Sequence, residues 1–279
     1  MTSDAVTPEP TALTRCVLAD NPSGMTLAGT NTYLLAAPDA DTVIVVDPGP
    51  VEGAEQHWDA VQDAAAGRTI DLILVTHRHG DHTGAVELFH ERSGAPVRAH
   101  SSAWCRQAEP LSPGEQIQAA GVRVQVLHTP GHTSDSVCLL LPDDGPAGSV
   151  LTGDTILGQG TTMLDHPDGT LADYLDSLDR LEGLGAARVL PAHGRALDSV
   201  AQVAAQYRAH RQERLDQVRG LLESRPEAER DAVTAQELAA EVYPGLSGTV
   251  QRVASLTMAA HLRYLREAPA PGRSGAPSA

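Results

Sequence analysis

Short apolar runs alternate with longer amphipathic stretches over residues 13–198. Runs rich in Val, Leu, Ile and Thr predict β-strands, and several are apolar at consecutive positions, as in central strands covered on both faces. The predicted strands span residues 31–37, 42–47, 71–76, 122–127, 136–141 and 149–152. Apolar positions at helical spacing predict helices over residues 53–66, 85–92 and 171–183. We therefore expect a layered α/β domain over residues 13–198.

Beyond residue 198 the pattern predicts helices alone. Amphipathic spacing favours a long helix over residues 199–223 and shorter helices over 235–242 and 249–266. Residues 199–266 are therefore expected to form a small all-α domain. The terminal segments 1–12 and 267–279 are rich in Pro, Ala, Ser and Gly without an apolar period, which predicts disorder.

Composition and charge favour a globular protein and bear on whether it binds nucleic acid. The chain has 279 residues, 41% of them hydrophobic, which is typical of a globular protein. The formal net charge is −16, and residues 1–197 hold 10 Arg against 26 acidic side chains. A negative surface opposes the long-range attraction of nucleic acid. The charge thus argues against an RNA partner without excluding one.

Targeting and redox signals are missing from the sequence. No run approaches the roughly 18 apolar residues that a membrane span needs. The N-terminus lacks the basic and apolar regions of a signal peptide, and the 3 cysteines form no CxxC pair. The sequence therefore predicts a cytoplasmic protein with no membrane partner.

The strongest chemical signal is the segment His77-Arg78-His79-Gly80-Asp81-His82, which follows a predicted strand. Residues two apart at the end of an extended strand project to the same side. His77 and His79 can therefore share one cation, while Asp81 and His82 in the following turn reach a second. The spacing suits two metal ions close together.

Three later residues supply further ligands. His132, Asp154 and His193 each lie at a strand-to-loop junction, and open α/β sheets place their ligand sites at such edges. Imidazole and carboxylate ligands without thiolates suit Zn²⁺, with Mn²⁺ and Fe²⁺ as alternatives. A carboxylate such as that of Asp154 can bridge two cations. Asp47, Thr76 and Thr133 are candidates for orienting the imidazoles.

The HxHxDH run and the later GHT, TGD and PAHG segments resemble, in this order, the metallo-β-lactamase superfamily. The resemblance spans residues 14–197 and implies an αββα sandwich with a dinuclear metal site at one edge. It implies that one ion takes His77, His79 and His132, that the other takes Asp81, His82 and His193, and that Asp154 bridges both. It also implies hydrolysis by a hydroxide that bridges two divalent ions, most simply Zn²⁺. Asp81, His82 and Asp154 would then be the catalytic residues.

A finer resemblance suggests the substrate. Gly29–Tyr33, Asp47–Gly49 and Gly153–Thr162 are similar to a lactamase-β-like branch that includes a mitochondrial endoribonuclease with a C-terminal winged-helix-like domain. By that resemblance residues 199–266 are winged-helix-like, and the first hypothesis is an endoribonuclease that cuts single-stranded RNA. Related sequences include fungal polyketide thioesterases and, more distantly, glyoxalase II. The alternative is therefore a thioester or ester hydrolase acting on a small or carrier-borne acyl group.

The loop of residues 158–162 admits two interpretations. It is either an ordinary flexible loop or an edge of the site that contacts substrate through Gly160, Thr161 and Thr162. Loops of the second kind are common around sites built on a rigid sheet.

Arginines on the long helix also admit two interpretations. Arg208, Arg211 and Arg214 follow at three-residue steps and so lie broadly on one face. That face is either solvated, with Glu213 and Asp216 as partners, or it brings Arg208 and Arg211 to substrate phosphates. The sequence leaves open whether the chain forms a homodimer.

Overall fold

The computed structural model describes residues 8–267. Its strands are β1 (Thr14–Leu18), β2 (Asn31–Leu35), β3 (Thr42–Val46), β4 (Thr69–Leu74), β5 (Val97–Arg98), β6 (Gln116–Ala119), β7 (Val122–His128), β8 (Val137–Leu141), β9 (Ser149–Gly153) and β10 (Arg188–Pro191). Its helices are α1 (Ala54–Ala65), α2 (Gly80–Thr83), α3 (Val86–Ser93), α4 (Leu171–Glu182), α5 (Val200–Glu223), α6 (Glu227–Arg230), α7 (Ala235–Val242) and α8 (Gly248–Glu267). The six helices predicted from the sequence are confirmed to within one residue at each end.

The terminal segments that were expected to be disordered are described only in part. Residues 1–7 and 268–279 lie outside the described residues. Residues 8–12 lead into β1, where the Thr11 hydroxyl accepts a hydrogen bond from the backbone N–H of Thr14 at 3.0 Å.

The strands form two five-stranded sheets. One has the order β1-β2-β3-β4-β5 and the other has the order β10-β9-β8-β7-β6. The pairs β3·β4, β4·β5 and β9·β10 are parallel, and the remaining pairs are antiparallel. The four strands without a predicted counterpart, β1, β5, β6 and β10, are the four edge strands. Edge strands are short or partly exposed, so they leave a weak apolar signal in the sequence.

The core follows the two-residue period of the strands. On β3, Ile44 and Val46 point between the two sheets, whereas Val43 and Val45 point outward against α1 and α3. On the other sheet, Leu139 faces inward, while Cys138 packs outward in a cluster with residues of α4. Both sheets are therefore covered on both faces. The predicted αββα arrangement is confirmed.

The C-terminal helices pack on the outer face of the second sheet. Tyr174 of α4, Ala204 of α5 and Ala260 of α8 belong to one buried cluster, so the helical region shares a core with the sandwich. A second cluster joins α5, α7 and α8. Residues 198–267 contain only helices and their connections, so the expected all-α region is present, and no described strand there forms a wing. Within the described part of the chain, no helix is long and apolar enough to cross a membrane.

Candidate metal centre

The seven predicted ligands meet at one edge of the sandwich. Each lies just beyond the carboxyl end of a strand, or in the short helix or turn that follows it. His77 follows β4, His79 precedes α2, Asp81 and His82 lie in α2, His132 lies between β7 and β8, Asp154 follows β9, and His193 follows β10. We call these seven residues the ligand cluster. Four come from the first sheet and three from the second, so the cluster requires the two sheets to be packed together.

Two glycines make the close approach of these segments possible. Gly131, before His132, has φ 137°, and a Cβ there would lie 2.4 Å from Tyr174 Cα. Gly153, before Asp154, has φ 49°, and a Cβ there would lie 2.8 Å from Thr76 Oγ1. Both contacts are shorter than any side chain tolerates, so these turns need glycine.

Three imidazole nitrogens converge in the first half of the cluster. The Nδ1 atom of His79 lies 3.1 Å from His77 Nε2 and 3.0 Å from His132 Nε2. Tetrahedral ligands at the usual Zn–N distance of about 2.0 Å would stand about 3.3 Å apart, so this spacing is close to that of nitrogens around one ion.

The hydrogen bond made by the other nitrogen of each ring shows which nitrogen is protonated and which carries a free lone pair. His132 Nδ1 donates to the backbone oxygen of Met163 at 2.8 Å, and His79 Nε2 donates to Asp165 Oδ2 at 3.1 Å. The Thr76 hydroxyl donates to a carboxylate, so its oxygen is left to accept from His77 Nδ1 at 3.1 Å. The three converging nitrogens are therefore unprotonated acceptors. Acceptors facing one another at 3 Å fit a shared cation.

The second half of the cluster combines two imidazoles with a carboxylate. Asp81 Oδ2 lies 3.3 Å from His82 Nε2 and 3.2 Å from His193 Nε2. His82 Nδ1 donates to Asp47 Oδ2 at 2.8 Å, and His193 Nδ1 donates to the backbone oxygen of Gly29 at 3.0 Å. These hydrogen bonds orient both Nε2 atoms toward Asp81.

Asp154 lies between the two halves. Its Oδ1 is 3.2 Å from His193 Nε2, and its Oδ2 is 3.6 Å from His132 Nε2. Asp154 Oδ1 and His82 Nε2 are buried atoms without a hydrogen-bond partner among the described residues. Buried polar atoms are rarely left unsatisfied. The donor set and these two unsatisfied atoms fit a pair of divalent cations with Asp154 as the bridge.

The electrostatics of the two halves differ. Burial lowers the pKa of His132 to about 4, with His79 adding to the effect, and lowers the pKa of His77 well below its usual value. Burial acts in the same direction on His193, but Asp154 and Asp81 outweigh it and raise the pKa of His193 to about 10. Burial thus disfavours the charged forms of His77 and His132 in the first half, whereas the carboxylates around His193 in the second half attract positive charge, either a proton or a metal ion.

Of the three candidates for orienting the imidazoles, two do so. Asp47 accepts from the backbone N–H of Thr76 at 2.8 Å and from the Thr76 hydroxyl at 2.7 Å, in addition to His82. Thr133 instead donates to Asp135 Oδ1 at 2.8 Å. Asp165, which the sequence did not suggest, binds His79 and also pairs with Arg78. No local motif marks Asp165, because it reaches His79 across 86 positions of the chain.

A cavity of about 350 Å³ opens beside the ligand cluster and includes Asp154 in its lining. We call it the Asp154 cavity. Its walls come from residues 24–27, from the loop 159–163 and from the helical region, and much of the lining is apolar. The apolar lining residues are Met25, Leu27, Leu157, Met163, Leu246, Val250, Val253 and Ala254.

The structure separates the predicted substrate residues. Gly160, Thr161 and Thr162 line the Asp154 cavity, and the Thr162 hydroxyl lies 3.2 Å from His132 Nδ1. Arg211 also lines it but is only 1% exposed, so the expectation of a solvated face is wrong for this residue. Arg208 points elsewhere: it pairs with Asp179 and Glu182 of α4 and is not among the residues that line the cavity. The two arginines therefore do not act on one face.

Three known proteins illustrate what the chain resembles. An atrochrysone carboxyl ACP thioesterase from Passalora fulva is 31% identical over 81% of this chain and 67% of its own length. A beta-lactamase-like protein 2 homolog from Drosophila melanogaster is 30% identical over 94% of this chain and 92% of its own length. The crystal structure of a metallo-beta-lactamase family protein from Thermus thermophilus superimposes with a TM-score of 0.75 at 27% identity, covering 91% of this chain and 93% of the other.

The family model of the metallo-beta-lactamase superfamily matches residues 25–193, a range that contains the whole ligand cluster. Fold, ligand cluster and relatives agree on one assignment. The chain belongs to the metallo-beta-lactamase superfamily and is a metal-dependent hydrolase of that fold.

Proposed function

We propose that this protein hydrolyses thioesters of small or carrier-borne acyl groups, with two divalent ions, most simply Zn²⁺, held by the ligand cluster. The observation that carries the proposal is the Asp154 cavity, a largely apolar compartment of about 350 Å³ whose lining includes Asp154 of the ligand cluster. A compartment of this size and lining suits an acyl chain. The name of the Passalora fulva relative supports the same substrate class.

The chemistry requires water to add to the thioester carbonyl and the C–S bond to break, which yields a carboxylic acid and a thiol. Two divalent ions, when bound, supply a water of lowered pKa and polarise the carbonyl oxygen. His77, His79 and His132 would hold one ion, Asp81, His82 and His193 the other, and Asp154 both.

The chain itself fixes the ligand side chains in place and supplies an apolar lining for the acyl chain. Asp47 fixes the ring of His82 through Nδ1, and the backbone oxygen of Gly29 fixes His193. Asp81 Oδ2 accepts from the Thr30 hydroxyl at 3.2 Å, which fixes the carboxylate beside these rings. The apolar residues that line the cavity would contact the acyl chain, and removal of that apolar surface from water contributes binding free energy.

Single-stranded RNA remains the alternative substrate. The described residues near the cavity provide few groups that would bind its phosphates or bases. Arg208, a candidate phosphate contact, is paired with acidic side chains of α4. Among the described lining residues of the cavity, Tyr243 is the one aromatic side chain on which a base could stack. The net charge of −16 also disfavours a polyanion.

The test compares both substrates on one preparation. Zinc-loaded protein is given S-acetyl and S-octanoyl N-acetylcysteamine, with a thiol-trapping dye as readout, and separately an end-labelled single-stranded RNA. We expect thiol release and intact RNA. The double variant Asp81→Ala/His82→Ala should lose turnover and bound metal, since it removes two ligands, whereas His90→Gln, a histidine of α3 outside the cluster, should keep both.

Two outcomes contradict the proposal. RNA cleavage that is lost in the double variant, without thiol release, would assign the site to phosphodiesters. Full turnover by a double variant that has lost one metal ion would overturn the dinuclear site.

A further inference from the structure

The Asp154 cavity contains a buried positive charge without a carboxylate partner. Arg211 of α5 is 1% exposed and lines the cavity. Within residues 8–267 no carboxylate oxygen lies within the 4.0 Å of an ion pair with its guanidinium. Its Nη2 donates to the backbone oxygen of Thr162, its Cζ lies 5.2 Å from the centre of the Tyr174 ring, and its Nε has no partner.

Three arginines that are far more exposed than Arg211 illustrate the usual pairing with a carboxylate. Arg98 pairs with Glu115, Arg106 with Glu87 and Arg208 with Asp179, although each of the three side chains is at least 18% exposed. A buried ion costs far more free energy to leave unpaired than an exposed one. Arg211, the most buried arginine of the described residues, thus lacks a counter-charge, and it lines a cavity.

We infer that Arg211 receives a second carboxylate carried by the acyl group of the substrate. The substrate class is then a monothioester of a short dicarboxylic acid, an inference that rests on the proposed function. A guanidinium binds a carboxylate through two parallel N–H groups, and the buried Nε–H of Arg211 has no hydrogen-bond partner among the described residues. The thioester carbonyl would lie at Asp154 and the distal carboxylate at Arg211, both of which line the same cavity.

Size and lining favour this assignment over a bound phosphate. The cavity, at about 350 Å³, is near the lower end of the range for ligand sites, about 300–1,000 Å³. Val250, Val253 and Ala254 line it from α8, so the space is suited to methylene groups between the two polar ends of a ligand. A phosphate monoester would bring two charges to a site with one buried cation.

A purely structural role for Arg211 predicts a different result. Arg211 holds Thr162, and the Thr162 hydroxyl lies 3.2 Å from Nδ1 of the metal-ligand candidate His132. If anchoring this loop were its only task, loss of the guanidinium would affect every substrate equally. Recognition of a carboxylate instead changes the preference between substrates.

The kinetic experiment therefore measures a ratio. Metal-loaded protein is given S-glutaryl and S-pentanoyl N-acetylcysteamine, which share a five-carbon acyl chain and differ in the terminal carboxylate. We expect wild type to prefer the glutaryl thioester, and Arg211→Gln to lower the ratio of the two kcat/KM values about 100-fold, the loss expected for a charged hydrogen-bonded pair. Arg208→Gln, the matched control on the same helix, should leave the ratio unchanged. No preference in wild type, or an unchanged ratio in Arg211→Gln, would overturn the inference.

A binding experiment separates this inference from the proposed function. Calorimetry measures glutarate, pentanoate and inorganic phosphate on metal-loaded wild type and Arg211→Gln. We expect glutarate to bind more tightly than pentanoate to wild type only. Glutarate binding that depends on Arg211, in a protein that hydrolyses no thioester, would retain the inference and reject the proposed function. Thioester hydrolysis with equal binding of glutarate and pentanoate would retain the proposed function and reject the inference. Phosphate binding that depends on Arg211 and is tighter than glutarate binding would overturn the carboxylate assignment.

Discussion

The ligand cluster and the Asp154 cavity share one residue but are built by different parts of the chain. The cluster is formed by loops at the ends of β4, β7, β9 and β10, which the two packed sheets hold in place. The cavity takes much of its wall from α8, the segment before it and Arg211 of α5. The comparison teaches that the ligand cluster depends on the two packed sheets alone, whereas the cavity is lined by residues of both the sandwich and the helical region.

Buried histidines in the two regions differ in the same way. His82 and His193 lie beside Asp81 and Asp154, which raise their pKa values. In α8, burial lowers the pKa of His261 to about 4, and the charge of Arg211 adds to the effect. The carboxylates beside His82 and His193 thus favour positive charge in the second half of the cluster, whereas the helical region keeps the buried imidazole of His261 neutral.

The largest expected effect comes from loosening the cluster without removing a ligand. Asp47→Asn removes the charge that holds His82, yet asparagine tolerates the positive φ of 54° found at this position. We expect metal affinity and kcat/KM to fall about 10-fold to 100-fold, because outer partners orient the ligands. Calorimetric metal titration and thioester kinetics measure the two quantities. Asp41→Asn, at an exposed position, is the control and should change neither quantity. If Asp47→Asn also changed the preference between acyl chains of different length, the cluster and the cavity would not act separately.

A smaller effect is expected from filling the cavity. Val250 on α8 is 43% exposed and lines the cavity, so Val250→Trp adds volume there without disturbing the buried core. We expect kcat/KM for S-octanoyl N-acetylcysteamine to fall about 10-fold, which is the usual effect of losing one methylene-sized contact in an apolar pocket. The kcat/KM for the acetyl thioester should not change, because its short chain does not reach Val250. Arg252→Trp, on the same helix but outside the cavity lining, is the matched control. Equal loss for both chain lengths would remove the helical region from substrate selection.

The third expected effect is on stability rather than on activity and concerns the helical region in acid. The unfolded chain protonates His261 near pH 6.5, while the folded chain stays neutral down to about pH 4 because of burial and of Arg211, His210 and Arg214 nearby. The contribution of His261 to the unfolding free energy therefore declines as the pH falls from 6.5 toward 4. By linkage we expect a loss of about 2 kcal/mol between pH 7 and pH 5.

Urea unfolding at the two pH values measures this loss. His261→Gln should show a smaller decrease between pH 7 and pH 5 than wild type, since it removes the titrating group. An identical decrease in both proteins would show that other groups cause the acid sensitivity.

Much of the ligand cluster could be predicted because its ligands sit in short local patterns. The HxHxDH segment places four of them within six positions, and strand alternation explains why His77 and His79 face the same way. Asp47 and Thr76 were named as candidates for orienting the imidazoles, but the choice between them and Thr133 required the structure. Asp165 could not be found at all, since its contact with His79 depends on a loop that folds back from a distant part of the chain.

Arg211 shows where pattern reasoning fails. Its three-residue spacing from Arg208 and Arg214 suggested one shared face, but the three side chains meet different neighbours. Arg208 meets the acids of α4, Arg214 lies over the ring of Tyr243 with Cζ 5.5 Å from its centre, and Arg211 is enclosed. Helical spacing gives a direction for each side chain, and the packing of α5 against its neighbours decides what it contacts.

The sequence by itself determined the order of helices and central strands, the layered α/β class, and the identity of the metal-ligand candidates, because these depend on local period and local motif, while the resemblance of those motifs to a known family implied the αββα arrangement. Tertiary structure alone decided which edge strands complete the sheets, which side chains orient the ligand imidazoles, and what surrounds Arg211. The physical reason is that local sequence restricts φ, ψ and side-chain direction, whereas convergence and burial depend on contacts between residues far apart in the chain.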